Sequence, residues 1–229
     1  MDKFYVICSV PLFLFAVIFL YFTIVRKNAF EKRLTLFRPT QRLSQKRETY
    51  MQGVHKYSKY LNIILLVIFY LPLCIFMAMM LKEEYEKIGR LSIPISNDMK
   101  MFLLIFFVPI LLLHYLAIYV IKRNEKALRM LVEQMSDSDF ELLLKIKDKL
   151  PFINKYDTSF VLCNHQLYFF TFFAIREIDP TKITNMNWGR SKNGVSVTLK
   201  APKRTMIMMP QEAFPYFLQI VEQYNPKLK

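Results

Sequence analysis

The chain of 229 residues holds only four glycines, three cysteines, three histidines and one tryptophan. With so little glycine there is no phosphate cradle: Gly-x-Gly-x-x-Gly and the P-loop are both absent, as are Gly-x-Ser-x-Gly and His-Glu-x-x-His. His55, His114 and His165 fall in three separate segments, so a catalytic triad would have to be collected from distant pieces. Cys8, Cys74 and Cys163 are odd in number and never paired at ligand spacing, which excludes a disulfide framework and gives no zinc motif. The expectation is a protein that is not an enzyme and holds no cofactor and no metal. Disorder is excluded too, because 54% of the residues are apolar and 15% aromatic.

What is present is apolar length and positive charge, kept apart. Phe4–Val25, Leu61–Leu81 and Met101–Ile121 are charge-free stretches of 22, 21 and 21 residues. At about 1.5 Å per residue each covers roughly the 30 Å of a hydrocarbon core, and helical hydrogen bonding makes spanning tolerable. The first run exceeds a typical signal segment and lacks a small-x-small cleavage pattern before Arg26, so three retained membrane helices are expected.

Charge sets the orientation. Residues 26–60 carry 10 Lys or Arg against Glu31 and Glu48, whereas residues 82–100 carry four of each sign. The basic loop belongs in the cytoplasm and the neutral one outside, giving an N-out, C-in membrane protein. The net charge of +14 would suggest nucleic acid in a soluble chain. Here the positive-inside requirement accounts for most of it, and no nucleic-acid partner is expected. Phe30, Leu34 and Phe37 recur at helical spacing, with Lys32 and Arg33 between them. That pattern predicts a short helix lying on the anionic inner leaflet.

The regions expected from these patterns are a membrane part over 1–122, a helical stalk and connecting helix over 123–150, and an α+β domain over 151–229. In the stalk, Ala127, Leu128, Leu131 and Met135 share one face. Ser138 is placed to cap a further helix over about 138–149, with acids in its first turn and Lys147 and Lys149 in its last. Beyond Pro151 come β-rich runs: Phe160–Cys163, a turn at Asn164-His165-Gln166, Leu167–Ile178, Ile183–Trp188, Gly194–Leu199 and Arg204–Met209. They predict an antiparallel meander. Gln211–Gln223 then carries Phe214, Phe217, Leu218 and Val221 at helical spacing, a helix to cap the sheet.

The stretch Thr205-Met-Ile-Met-Met-Pro210-Gln-Glu-Ala-Phe214 resembles the strand-Pro-x-x-Ala-Phe-helix ending of the YcxB-like membrane proteins. These are bacterial proteins with a pleckstrin-homology-like domain, and the resemblance covers about residues 156–224. It implies a PH-like antiparallel sheet with a C-terminal helix, acting as a cytosolic recognition or scaffold module, with no family activity to transfer. Such proteins usually have two spans where three runs are counted here. The tryptophan expected just before the Ile183 strand is also missing, since Trp188 lies further on.

Candidate functional residues follow from this layout. His114 is the sole conventional ionisable side chain within a span, and such groups face a protein interior or water. It reads either as a proton- or ligand-sensing group or as a neutral imidazole bonded to a neighbouring helix. Pro11, Pro72 and Pro109 lie 7, 9 and 8 residues from the outer ends of their spans, which predicts a belt of bends at one depth. In the C-terminal domain Trp188, Arg190, Lys192, Lys203 and Arg204 are the candidate partner-binding residues, with a core position as the alternative for Trp188.

The function expected is recognition rather than turnover. The bilayer with its anionic inner leaflet is one partner and a protein is the other, either a toxin neutralised by an immunity protein or a subunit of a membrane complex. A regulatory or sensor subunit and an accessory subunit of a transporter are the alternatives. The spans can pack alone or share faces in a homo-oligomer.

Overall fold

The computed structural model describes residues 10–11, 13–15, 17–21, 25–39, 42–88, 103–156, 159–192 and 194–228. The chain divides into two compact units, Met1–Arg26 with Lys56–Lys122 and Lys27–His55 with Arg123–Lys229.

In the first unit the described residues are helical. Helix α2, Gln45–Ile88, carries Pro72 in its interior, and its apolar stretch leaves Ile63, Leu66, Ile68, Leu71 and Ile75 exposed. Helix α3, Val108–Gln134, follows a π-helical turn at Leu103–Phe107, and Pro109 is its second residue. Among the described residues these two helices, not the three expected, are long and apolar enough to cross a membrane. The expected span over 4–25 falls in part outside the described residues. Pro11 lies in a helical stretch, with Phe19 buried against Leu116 and Val120.

The second unit is built on two three-stranded antiparallel sheets. The first joins β1 (Phe160–Cys163), β2 (Gln166–Phe170) and β3 (Ile175–Ile178). Both of its faces are covered. Phe160, Leu162, Leu167, Phe169 and Ile178 point into one core, while Val161, Cys163, Tyr168 and Ile175 point into another formed with α1 (Ala29–Leu36), the start of α2, the end of α3 and α4 (Asp137–Lys149). Ala127, Leu128, Leu131 and Met135 are all buried there, so the apolar face read as a stalk is core.

The second sheet joins β4 (Asn185–Ser191), β5 (Gly194–Lys200) and β6 (Arg204–Met209). Its alternation is clean: Val195, Val197 and Leu199 of β5 and Thr205, Ile207 and Met209 of β6 point inward. Helix α5, Phe214–Tyr224, packs Phe214, Phe217, Ile220 and Val221 onto that face, as apolar spacing along it requires. Complete burial of a side chain such as Phe217 contributes roughly 1.5–3 kcal/mol.

Three expectations are corrected. The helix at Phe30 and Leu34 exists, but those side chains are 2% and 4% exposed, packed within the protein and not laid on lipid. The Phe30 ring lies tilted against Tyr168 with centroids 5.0 Å apart, Phe37 packs partly against the same core, and of the five expected surface residues only Lys32 and Arg33 are exposed. The cap of α4 is Ser136, whose Oγ accepts from the amide of Asp139 at 3.1 Å; Ser138 lies inside the first turn. The run Leu167–Ile178 is two strands, because the chain reverses at Thr171–Ala174, where the Thr171 amide donates to the Ala174 carbonyl at 3.1 Å.

Candidate functional site

Strand β4 pairs with β5 only among the described residues, so it forms an open edge of the second sheet. Six of its seven residues are exposed, Met186 being the exception. Trp188 lies opposite Val197 on the inner face but at the margin, with its ring 5.0 Å from that of Phe214. It is 50% exposed, neither a core tryptophan nor a loose one. One side of the indole is fixed by α5 and the other faces solvent.

The outer face of the same sheet is set by register. Asn187, Thr198 and Met206 form one cross-strand row, and Gly189, Ser196 and Met208 the next. Met206 and Met208 are 67% and 54% exposed, and a side chain at Gly189 would meet only open space. These two rows are small-residued and uncharged, with two adaptable thioethers along one side.

Register separates the predicted basic residues. Arg190 lies opposite Val195 and Lys192 is in the adjoining turn, whereas Arg204 begins β6 opposite Lys200 at the other end of the sheet and Lys203 precedes it in the connecting bend. The five-residue interval from Val195 to Lys200 spans about 17 Å, so the basic residues bracket the face at two ends and form no single cluster.

Beside the first sheet lies a buried polar network that sequence reasoning missed. Arg123 and Glu31 are 7% and 3% exposed and 3.4 Å apart. Arg123 also donates to the backbone carbonyls of Thr171 at 2.9 Å, Phe172 at 3.4 Å and Phe173 at 3.0 Å. Glu31 accepts from the amides of Ile175 and Asn28, and Asn28 returns its side-chain amide to the Ile175 carbonyl at 2.6 Å. Asn28 and Glu31 together form a capping box on α1. The signal Asn28-x-x-Glu31 was present in the sequence; the link to Arg123 was not, since it joins residues 92 apart.

In the first unit His114 is 8% exposed and bonded on both nitrogens, Nδ1 to the Tyr70 hydroxyl at 3.0 Å and Nε2 to Asn62 Oδ1 at 3.3 Å. A neutral imidazole with its proton on Nε2 satisfies both partners, donating to Asn62 and accepting from Tyr70. The histidine is thus a clasp between α3 and α2. Asn62 and Tyr70 were not singled out from sequence, because uncharged polar residues do not interrupt an apolar run.

Titration is displaced where burial is deepest. The Cys163 thiol is pushed up to about 12, first by burial and then by Asp139 and Glu177, with Arg47 opposing. Burial and the hydrogen-bonded Glu177 carboxylate raise Tyr168. Neither is an activated nucleophile. Among the described residues no group of three or more His, Cys, Asp or Glu is placed to hold a metal ion.

The chain matches no protein-family model, no curated protein and no solved structure.

Proposed function

We propose that this chain is a non-catalytic protein of the bacterial inner membrane, anchored by α2 and α3, whose cytoplasmic unit docks a protein partner on β4 and the outer face of the second sheet. The exposed apolar side chains of α2 support the anchor, since a water-soluble protein does not leave so long an apolar surface uncovered. Two spans in a hairpin return the chain to the side it left. The basic charge of residues 26–60 supports a cytoplasmic side for them, and the packing of Lys27–His55 with Arg123–Lys229 in one unit supports the same side for the C-terminal region.

The observation that carries the docking surface is the open β4 edge with half-exposed Trp188 beside it. Edge strands invite pairing unless covered, and an aromatic anchor with one face fixed is what binding hot spots are made of. Six antiparallel strands followed by one helix also support kinship with the PH-like YcxB proteins. Immunity to a toxin is the leading form of this function. A sensor subunit is the second, favoured by the unbroken course of α3 through Lys122–Asn124 into the core of the second unit. For a transport subunit the support is weaker, because the polar group between the helices, His114, is already bonded on both sides.

Photo-crosslinkers at Arg190 and Met206 of the full chain in its membrane test the surface, with Lys145 on α4 as control. A discrete adduct from the first two sites that disappears with Trp188→Ala is expected. Equal adducts at all three sites, or none, contradict the assignment. For immunity, cells that lose the chain should become sensitive to a toxin that cells carrying it resist; unchanged sensitivity to every toxin tested removes that form and leaves the sensor.

A further inference from the structure

The second unit receives and releases the chain at Lys27, His55 and Arg123. Two of these points carry bonds to one end of the first sheet, and His55 is bonded to α3 beside Arg123. Asn28 bonds the Ile175 carbonyl, Arg123 bonds the carbonyls of Thr171, Phe172 and Phe173, and His55 Nδ1 lies 2.8 Å from Glu125, two residues beyond Arg123. Arg123 follows directly on Lys122, where the apolar part of α3 ends. The β2–β3 turn is therefore held within one side chain's reach of the point at which the helix leaves its apolar stretch.

That turn is Thr171-Phe-Phe-Ala174, with no charge. Phe172 and Phe173 are 52% and 43% exposed, with ring centroids 5.5 Å apart. Their carbonyls already accept from Arg123, so entering a region poorer in water strands no backbone acceptor there. Arg26, Lys27, Lys122 and Lys126 stand at the same crossings and supply charge for anionic headgroups. Paired aromatic rings together with basic residues match the chemistry of a headgroup boundary.

We propose that the Phe172–Phe173 turn is a lipid-interface anchor, dipping into the headgroup–acyl boundary of the bilayer that α2 and α3 cross. This rests on the membrane reading above. It gives to the turn the surface role that the sequence pattern had assigned to Phe30 and Leu34. The rings sit about 5–10 Å into the boundary, the depth usual for interfacial apolar groups.

The test uses the full chain in nanodiscs of mixed zwitterionic and anionic lipid with brominated acyl chains. Trp188→Phe provides a background without tryptophan, and Phe172→Trp, Phe173→Trp and Leu111→Trp are introduced singly. Leu111 is an exposed residue of the apolar part of α3 and reports on the membrane reading itself. Expected are loss of most emission from all three tryptophans in brominated discs and blue-shifted emission at 172 and 173 in unbrominated ones. Quenching at 111 alone, with water-like emission at 172 and 173, overturns the anchor, leaves the membrane reading standing and points to a protein on the turn. No quenching at 111 overturns both.

Discussion

At the scale of single residues, the buried pair Glu31–Arg123 is where the second unit is most exposed to damage. Removing one partner leaves the other charge buried, which in general destabilises by about 3–5 kcal/mol. Glu31→Ala is expected to fall near the lower end, because carbonyls continue to hold Arg123. Glu31→Gln should lose less, as it keeps an acceptor for the Ile175 amide. Denaturant unfolding of the purified chain in detergent measures both; equal, negligible losses would show that the pair carries little. Tyr50 is the opposite case. Its hydroxyl is buried without a hydrogen-bond partner among the described residues, and burial pushes its pKa up, well above the ordinary tyrosine range. Tyr50→Phe should therefore be neutral or stabilise by about 1 kcal/mol, read in the same unfolding experiment.

Cys163 provides a pH test. Its folded thiol ionises above the unfolded one, so the protonated form contributes stability that is fully present below the ordinary thiol range near pH 8.5. That contribution is lost as pH rises toward about 12. Cys163→Ala should flatten the alkaline fall in stability across this window. The same burial predicts that, in a chain with Cys8 and Cys74 replaced by serine, Ellman's reagent does not reach Cys163 at pH 8 until the chain is unfolded; rapid reaction with that folded chain would show that the first sheet opens.

At the scale of elements, Gly194 is the residue on which the β4–β5 hairpin depends. Its φ is +134°, and a side chain there would collide with the backbone carbonyl of Met209 on β6. Gly194→Ala should cost about 1–3 kcal/mol and loosen β4, visible as faster amide exchange at Arg190 and Ser191. Exchange unchanged along β4 would contradict the strain argument. The neighbouring two-residue turn of the first sheet places both Asn164 and His165 at positive φ, and Asn164 also bonds Asp139 and Gln134.

Which elements were legible follows from which signals are local. Phe160–Cys163 and Arg204–Met209 match the expected bounds because turn residues or proline punctuate them. The β2–β3 reversal was not legible, since Thr-Phe-Phe-Ala contains no turn former and is held by Arg123 from 48 residues away. Helix α1 was legible as a helix but not as core: its apolar spacing fits a lipid surface and a protein interior equally well. Its partner Tyr168 lies far along the chain.

At the scale of the whole molecule, hydropathy and charge showed where the apolar runs lie, while membership of the two units depended on contacts at long separation. Residues 27–55 read as a basic loop and are part of the folded unit, because Phe30, Leu34, Tyr50, Met51 and Val54 complete the core beside the first sheet. The residues expected to bind a partner divided in the same way. Trp188 and Arg190 share the open edge, but strand register carries Lys203 and Arg204 to the far end.

The central claim is that α2 and α3 cross the bilayer and return both parts of the second unit to the cytoplasm. One cysteine added at Ser44, Lys82 or Ser191, in a chain with Cys8 and Cys74 replaced by serine and the buried Cys163 kept as an internal unreactive thiol, tests it in intact spheroplasts with a membrane-impermeant maleimide. The account predicts labelling at position 82 alone, with 44 and 191 reacting only after the membrane is broken. Labelling at 44 or 191 in intact spheroplasts, or at neither side of the helices differently, would contradict it.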